Sequence, residues 1–271
     1  MKSLILRMAV KLSALITMIV LAFVVGFVLI KGIPNLNLAM FQWKYTTENV
    51  SMMPAIINTL IITVISLAIA LPFGIFSAVY LVEYAGRGNK IVGIVRLTTE
   101  TLSGIPSIIY GLFGYLMFVV ALGWSYSVLA GTCTLAIMIL PLIMRTTEEA
   151  LKSVPDAFRE GSFGLGAGKL RTVFKVVLPT AVPGILSGVI LGIGRIVGET
   201  AALIYTAGTV TGVATSLFSS GRTLSVHMYA LLSEGLYTKQ AYATAVVLLL
   251  MVIIINGLSS LVAGKMASKR N

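Results

Sequence analysis

The sequence predicts an all-α polytopic membrane protein with six transmembrane helices. Hydrophobic residues occupy 58% of its 271 positions, only 11% of residues are charged, and the mean hydropathy is +1.00. This composition is typical of membrane-embedded chains and excludes an ordinary soluble domain. The apolar runs are about 20 residues long, which is the length that a helix needs to cross the hydrocarbon core. A transmembrane β-barrel would instead need alternating segments of about ten residues.

Six apolar runs define the predicted spans. We expect an N-terminal transmembrane helix within residues 1–31, which is retained because its apolar run is too long for a signal peptide and shows no clear cleavage site. The other five spans lie in a core of residues 54–263. They are predicted at about 56–82, 91–122, 128–144, 180–207 and 242–263.

The span at 91–122 is irregular. Pro106 lacks an amide donor and disfavours helix at Ile105, so we expect a break or kink there. Arg96 and Glu100 lie in the first part of this span. The spacing leaves two interpretations of Glu100 open: it pairs with Arg96 four residues earlier, or it lines the inner mouth of a transport path.

The placement of positive charge predicts the topology. Fifteen of the 20 Lys and Arg residues lie in the amino terminus, the 83–97 region, the 145–179 loop and the tail. Four lie in the other connecting segments. The positive-inside rule therefore places both termini in the cytoplasm of a multi-pass cell-membrane protein, and the net charge of +11 needs no nucleic acid to explain it. The single cysteine, Cys133, is expected to be a buried small hydrophobe.

Residues 148–179 form the only long polar segment. Apolar residues recur there near helical spacing, with charges between them and glycines at 161, 164, 166 and 168. We expect one or two short helices at the inner membrane surface, joined by a glycine-rich turn. The stretch 164–169 is not a Walker A loop, because Phe163 stands where that loop needs glycine and Leu170 where it needs Ser or Thr.

This segment resembles the EAA loop of type I ABC importer permeases. The family pattern is E-A-A, three residues, G, nine residues, then I, one residue and L-P, and every spacing matches. The residues that carry the match are Glu160, Gly161, Gly166, Leu178 and Pro179, with Gly161 and Ser162 replacing the two alanines and Val176 the isoleucine. The resemblance implies a type I importer permease fold in which the 145–179 loop forms a coupling helix that docks on a cytoplasmic ATPase subunit.

A charged pair lies inside the fifth span. Arg195 and Glu199 are spaced by four residues, and so are Gly184, Gly188 and Gly192. On one continuous helix all five fall within a stripe of about 80°, which glycine marks as a packing face. Ionisable groups inside a span are costly and suggest function. Two interpretations stay open: an ion pair that fixes the span to a neighbour, or an anion path in which the arginine binds oxyanions.

Two further stretches resemble phosphate importer permeases. They are R-I-V-G-E-T-A at 195–201 and S-G-I-P-S-I-I-Y-G-L-F-G at 103–114. In its length and short amino terminus the chain is more similar to the PstA subunits of that family than to PstC. The resemblance implies a PstC-like permease as heterodimer partner, two PstB-like ATPase subunits and an extracytoplasmic phosphate-binding protein. It implies import of inorganic phosphate by alternating access. The alternatives are an ABC permease for another oxyanion, such as sulfate or molybdate, and an ATPase-independent secondary transporter.

No motif indicates an enzyme, a cofactor site or a metal site. The only histidine, His227, falls in the connecting segment 208–241, and a lone histidine forms neither a metal site nor a triad. We expect a solvated or capping role for it. The chain is therefore expected to be a transport subunit without catalytic residues, and ATP hydrolysis is expected on its partners.

Overall fold

The computed structural model describes residues 2–86 and 88–268, which form eleven α-helices and no strands. Three of the cations used for the topology, Arg87, Lys269 and Arg270, lie outside these residues. The helices are α1 (Lys2–Gly32), α2 (Met53–Val79), α3 (Lys90–Ser103), α4 (Ser107–Gly114), α5 (Val128–Lys152), α6 (Asp156–Gly164), α7 (Lys169–Thr172), α8 (Leu178–Gly198), α9 (Ala201–Thr206), α10 (Leu224–Glu234) and α11 (Thr238–Ser268). Two 3-10 turns (Ile33–Asn35, Leu38–Phe41) and three π-helical turns (Tyr80–Tyr84, Tyr115–Ala121, Val173–Val177) join them.

Five helical segments are long and apolar enough to cross a membrane. They are Leu6–Asn35, Met53–Tyr84, Val128–Lys152, Lys169–Gly198 and Thr238–Leu261. The pair α3 and α4 makes a sixth when it is counted as one broken span, bent by 104° at Gly104 to Pro106. The break expected at Pro106 is therefore present. The all-α polytopic prediction is confirmed for the described residues.

The centre of the bundle is α5, which packs against α2 and α8 and is the most buried of the spans. Glycines make these close approaches possible because they remove the side chain from the contact. Gly188 of α8 lies against Thr146 of α5, and Gly184 lies against Ala150. By contrast α1 is almost wholly exposed and meets α11 where Gly32 lies against the backbone of Tyr242.

The segment 208–241 is more structured than the sequence indicated. It contains α10, whose Leu224 and Leu231 are fully buried. The Asn58 side chain of α2 donates hydrogen bonds to the carbonyls of Gly212 and Arg222, at 2.9 and 3.2 Å. It also accepts one from the backbone N–H of Ala214 at 3.0 Å. This segment is therefore fixed to the start of α2, at the end of the bundle opposite to α6.

Candidate functional site

The fifth predicted span does not continue as one helix to residue 207. The helix α8 ends at Gly198, Glu199 has an extended backbone (φ −72°, ψ 127°), and α9 begins only at Ala201. Arg195 and Glu199 therefore do not share a helical face, and the prediction that Glu199 lies on the stripe of Gly184, Gly188 and Gly192 is wrong. The Glu199 side chain hydrogen-bonds to the backbone at the start of α9. This local hydrogen bond competes with the continuation of α8 through Glu199.

Glu199 is buried and held by two hydrogen bonds. Its carboxylate Oε1 accepts the backbone N–H of Ala202 at 3.1 Å, which satisfies a donor in the first turn of α9. Its backbone carbonyl accepts the hydroxyl of Ser225, from α10, at 2.6 Å. With only 8% of its surface exposed, Glu199 joins the α8–α9 break to α10.

Arg195 is half-buried and has no carboxylate partner. Five ion pairs are formed within residues 2–86 and 88–268, and none includes Arg195 or Glu199. The ion pair suggested by their spacing is therefore not formed. Arg195 is close enough to Tyr110 of α4 for the two side chains to interact electrostatically. Since no carboxylate among the described residues pairs with Arg195, its guanidinium N–H groups can donate hydrogen bonds to another group.

The two phosphate-permease-like stretches pack against each other. Gly111 of α4 lies against the backbone at the start of α9, where an added Cβ would come within 3.3 Å of the carbonyl oxygen of Ala201, the last residue of the second stretch, and within 2.8 Å of the Cα of the adjacent Ala202. The Tyr110 hydroxyl donates to the carbonyl of Leu102 at 2.9 Å, across the bend between α3 and α4. Stretches about 90 residues apart in the sequence thus form one contact beside Arg195.

Glu100 lies in a different place. Arg96 pairs with Glu148 of α5 at 2.8 Å and not with Glu100, and Lys152 pairs with the same carboxylate at 2.6 Å. The first interpretation of Glu100 is therefore wrong. Glu100 is exposed and lines an open cleft of about 200 Å³ between α3 and α5, together with these charged residues and Arg145. The lining of this cleft includes neither Arg195 nor Glu199.

The EAA-like segment forms an exposed helix–turn–helix at one end of the bundle. Glu160 and Gly161 are exposed on α6, and Leu165, which begins the turn, is 91% exposed. Gly166 has φ +78°, a conformation that side chains other than glycine rarely adopt. No atom lies within 4 Å of the position that its Cβ would take. Backbone conformation, and not crowding, explains the glycine.

Leu178 and Pro179 begin α8, and both are half-buried. Proline is tolerated in the first turn of a helix because the amide N–H that it lacks would have no intrahelical partner there. The hydroxyls of Ser162 in α6 and Thr172 in α7 share a hydrogen bond of 2.8 Å, which closes the turn between the two helices. The surface that the EAA-like residues present is therefore held in one shape.

One contact beneath this surface was not predicted from the sequence. Arg159 of α6 binds the carboxylate of Glu83 with Nη2–Oε1 at 2.7 Å, although the two residues are 76 positions apart. The hydrogen bonds that Arg159 donates to Glu83 raise the pKa of Arg159 above its ordinary value. The only signal available beforehand was that Glu83 and Arg159 both lie in connecting segments predicted to be cytoplasmic.

His227 is not solvated, contrary to expectation. It lies in α10 with none of its surface exposed, beside the ring of Tyr45 and the buried guanidinium of Arg222. Burial, with Arg222 as the second cause, lowers the pKa of His227 to about 3. Within the described ranges no three His, Cys, Asp or Glu side chains form a group able to hold a metal ion.

Residues 70–268 match the family described as "Binding-protein-dependent transport system inner membrane component". The chain belongs to this family. The permease is 33% identical over 251 residues to the probable ABC transporter permease protein YqgI of Bacillus subtilis (strain 168), a match that covers 85% of this chain and 84% of that one. It is thus a multi-pass permease of an ABC importer.

Phosphate permeases are also among its relatives. The permease is 39% identical over 155 residues to phosphate transport system permease protein PstA 1 of Mycobacterium tuberculosis (strain ATCC 25618 / H37Rv), covering 57% of this chain and 49% of that one. It is 38% identical over 179 residues to PstA of Yersinia pestis, covering 65% and 60%. The matched stretch therefore spans about half to three fifths of the length of these two relatives.

Solved structures confirm the fold. The permease superposes on the MetNI methionine ABC transporter in an inward-facing conformation with a TM-score of 0.62 and 21% identity, covering 79% of this chain and 94% of that one. It superposes on a bacterial ABC transporter involved in alginate import with a TM-score of 0.63 and 16% identity, covering 96% and 98%. The fold is that of type I ABC importer permeases, as the EAA-like loop predicted.

Proposed function

We propose that this permease is the PstA-like subunit of an ATP-driven importer of inorganic phosphate and forms half of its translocation path. The observation that carries the proposal is the state of Arg195, a half-buried cation inside a span with no carboxylate partner among the described residues. The names of the phosphate-transport relatives supply the substrate class.

Arg195 has the chemistry that an oxyanion in transit requires. Its planar guanidinium donates paired hydrogen bonds that match the geometry of phosphate oxygens. Partial burial strengthens the attraction, because charges interact more strongly away from bulk water. One arginine with a single phenol nearby is a modest site, which suits a path that must also release its ion. Glu199 supports the path indirectly, since it fixes the start of α9 behind α4.

The partners follow from the same proposal. They are a PstC-like permease in a heterodimer, two PstB-like ATPase subunits and an extracytoplasmic phosphate-binding protein. Both termini and α6 lie on the cytoplasmic side, in agreement with the positive-inside rule. ATP is hydrolysed on the ATPase subunits, and this chain has no catalytic residue.

The exposed helix–turn–helix of residues 156–172 is the docking surface for an ATPase subunit. Closure of the ATPases moves α6, and the spans tilt so that the cavity faces alternate sides of the membrane. Glu160 and Gly161 contact the ATPase, Gly166 holds the turn, and Leu178 with Pro179 joins the surface to α8. Glu100 lines the inner mouth of the path.

Uptake of labelled phosphate tests the proposal. Phosphate-starved cells that lack this chain are restored with wild-type protein, Arg195→Gln, Arg195→Lys or Arg7→Gln. Arg7 is the matched control because it is an exposed arginine of α1 and takes part in none of the ion pairs of the described residues. We expect the wild type and Arg7→Gln to restore uptake, Arg195→Gln to abolish it, and Arg195→Lys to restore little of it, because lysine lacks the planar fork.

Three results would contradict parts of this proposal. Normal uptake by a correctly inserted Arg195→Gln variant would exclude a role for Arg195 in the path. Unchanged phosphate uptake after deletion, with loss of sulfate or molybdate uptake, would assign another oxyanion. Uptake that continues when the partner ATPase is deleted would indicate a secondary transporter.

A further inference from the structure

The coupling surface has little apolar attachment to the bundle. None of the nine residues of α6 is buried, so its position depends on polar contacts. One of these is the bond between Ser162 and Thr172, which stays within the helix–turn–helix. The contacts that reach the membrane spans come from Arg159.

A single guanidinium binds three separate elements. Arg159 contacts both carboxylate oxygens of Glu83, in the π-helical turn at the end of α2, through Nε at 3.2 and 3.4 Å and Nη2 at 2.7 Å. It donates to the carbonyls of Leu151 and Val154, at 3.0 and 2.8 Å. Leu151 lies in the last turn of α5, and Val154 lies two residues beyond its end. Arg159 also contacts Asp156 at 3.1 Å, within α6 itself.

The pair is largely withdrawn from water. The side chain of Arg159 is 15% exposed and that of Glu83 is 7% exposed. Loss of one partner from such a pair leaves an uncompensated buried charge, which is far more costly than the loss of a surface pair. The neighbouring Arg145–Glu149 pair, with side chains 57% and 65% exposed, is a surface pair of this kind.

A second contact reaches the same end of α2. The ammonium group of Lys169, in α7, lies 5.1 Å from the centroid of the Tyr84 ring, a cation–π distance. Helices on both sides of the Gly166 turn are thus attached to adjacent residues of the π-helical turn that follows α2. A displacement of the helix–turn–helix is therefore expected to move the membrane spans through the π-helical turn at the end of α2.

We propose that Arg159 and Glu83 are positioning residues that transmit displacement of α6 to α2 and the end of α5. The inference rests on the proposed function, in which partner ATPases move α6. It adds that docking and transmission are separable: Glu160 and its exposed neighbours hold the ATPase, whereas the Arg159–Glu83 pair beneath them converts its movement into movement of the spans.

Transport per ATP hydrolysed tests this separation. The assembled complex is reconstituted with Glu83→Gln, Arg159→Lys, the charge-exchanged double variant Glu83→Arg/Arg159→Glu, or Glu48→Gln as the control, because Glu48 is exposed and takes part in none of the ion pairs of the described residues. We expect Glu83→Gln and Arg159→Lys to retain the ATPase subunits and to hydrolyse ATP, while uptake per ATP falls about tenfold, equivalent to about 1.4 kcal/mol of lost coupling. The control keeps the wild-type ratio, and the double variant recovers part of it. A purely structural role would lower the amount of complex without changing the ratio, and an unchanged ratio overturns the proposal.

A distance measurement tests the role of the Arg159–Glu83 pair independently of which substrate the permease transports. Spin labels are placed at Ala157 in α6 and Val64 in α2, both exposed, in a protein whose Cys133 is replaced by serine. In the wild-type complex we expect the distance to stay the same with and without ATP, because α6 and α2 move together. In Glu83→Gln it should change with ATP. An invariant distance in that variant overturns the proposal, whereas a wild-type complex that transports no phosphate would overturn only the substrate assignment.

Discussion

The carboxylate of Glu199 accepts the backbone N–H of Ala202 across the break between α8 and α9. Removal of a capping side chain typically costs about 1 kcal/mol. Glu199→Ala should therefore lower the thermal stability of the purified permease, whereas Glu199→Gln keeps an acceptor oxygen and should cost less than half as much. Glu100→Ala is the control, since Glu100 is exposed. Equal melting temperatures for Glu199→Ala and the wild type would contradict the capping role.

Contact between α8 and α5 depends on Gly188. A methyl group at this position would overlap the side chain of Thr146. Overpacking of a close contact typically costs about 1–3 kcal/mol, so Gly188→Ala should destabilise the protein. Gly194→Ala is the matched control on the same helix, because nothing lies within 4 Å of its Cβ position. Melting curves in detergent check the difference, and a Gly188→Ala protein as stable as Gly194→Ala would contradict the packing argument.

Gly166 is required for its backbone conformation. A left-handed residue with a side chain costs about 1–2 kcal/mol, so Gly166→Ala should distort the turn between α6 and α7. We expect less ATPase to co-purify with this variant, and a bulky residue such as Leu to release it. Gly164→Ala, in the last turn of α6 with an unhindered Cβ position, should bind the ATPase normally. Equal recovery of ATPase with Gly166→Leu and Gly164→Ala would exclude the turn from docking.

The buried His227 predicts a pH dependence of stability. Its pKa in the folded protein is about 3, below the ordinary 6.5, so below pH 6.5 the unfolded chain binds a proton that the folded protein does not bind. Stability is complete above pH 6.5 and falls as the pH drops towards 3, by about 1.4 kcal/mol at pH 5.5. Unfolding of wild type and His227→Gln at pH 7.5 and 5.5 checks this. A loss that is as large in the variant would assign it to other groups.

Local features of the sequence predicted those parts of the structure that local chemistry determines. The bend at Pro106 follows from a missing amide and a clash with the preceding residue, both of which act within a few positions. The helix–turn–helix of the coupling segment follows from its periodicity and its glycines. The number of spans follows from the lengths of the apolar runs.

Features that depend on distant contacts were missed or wrong. The break after Gly198 was not predicted because no proline marks it and residues 180–207 have the length of one continuous span, and only contacts of Glu199 with α9 and α10 reveal it. Arg96 has Glu100 at helical spacing, yet it pairs with Glu148 from another helix. The Arg159–Glu83 pair bridges 76 positions, and no periodicity connects them.

The contacts of α2 give this helix a particular place in the molecule. Near its first residues Asn58 holds the backbone of the 208–223 segment, and at its far end Glu83 holds Arg159. The 25 residues between them correspond to roughly 37 Å of helix, about the full thickness of a bilayer. This one helical segment therefore makes contacts at both membrane surfaces. Pro72 lies within it, at a position where a helix can bend. A change in the flexibility of the helix at Pro72 would therefore change how much of a displacement at the Glu83 end reaches the Asn58 end.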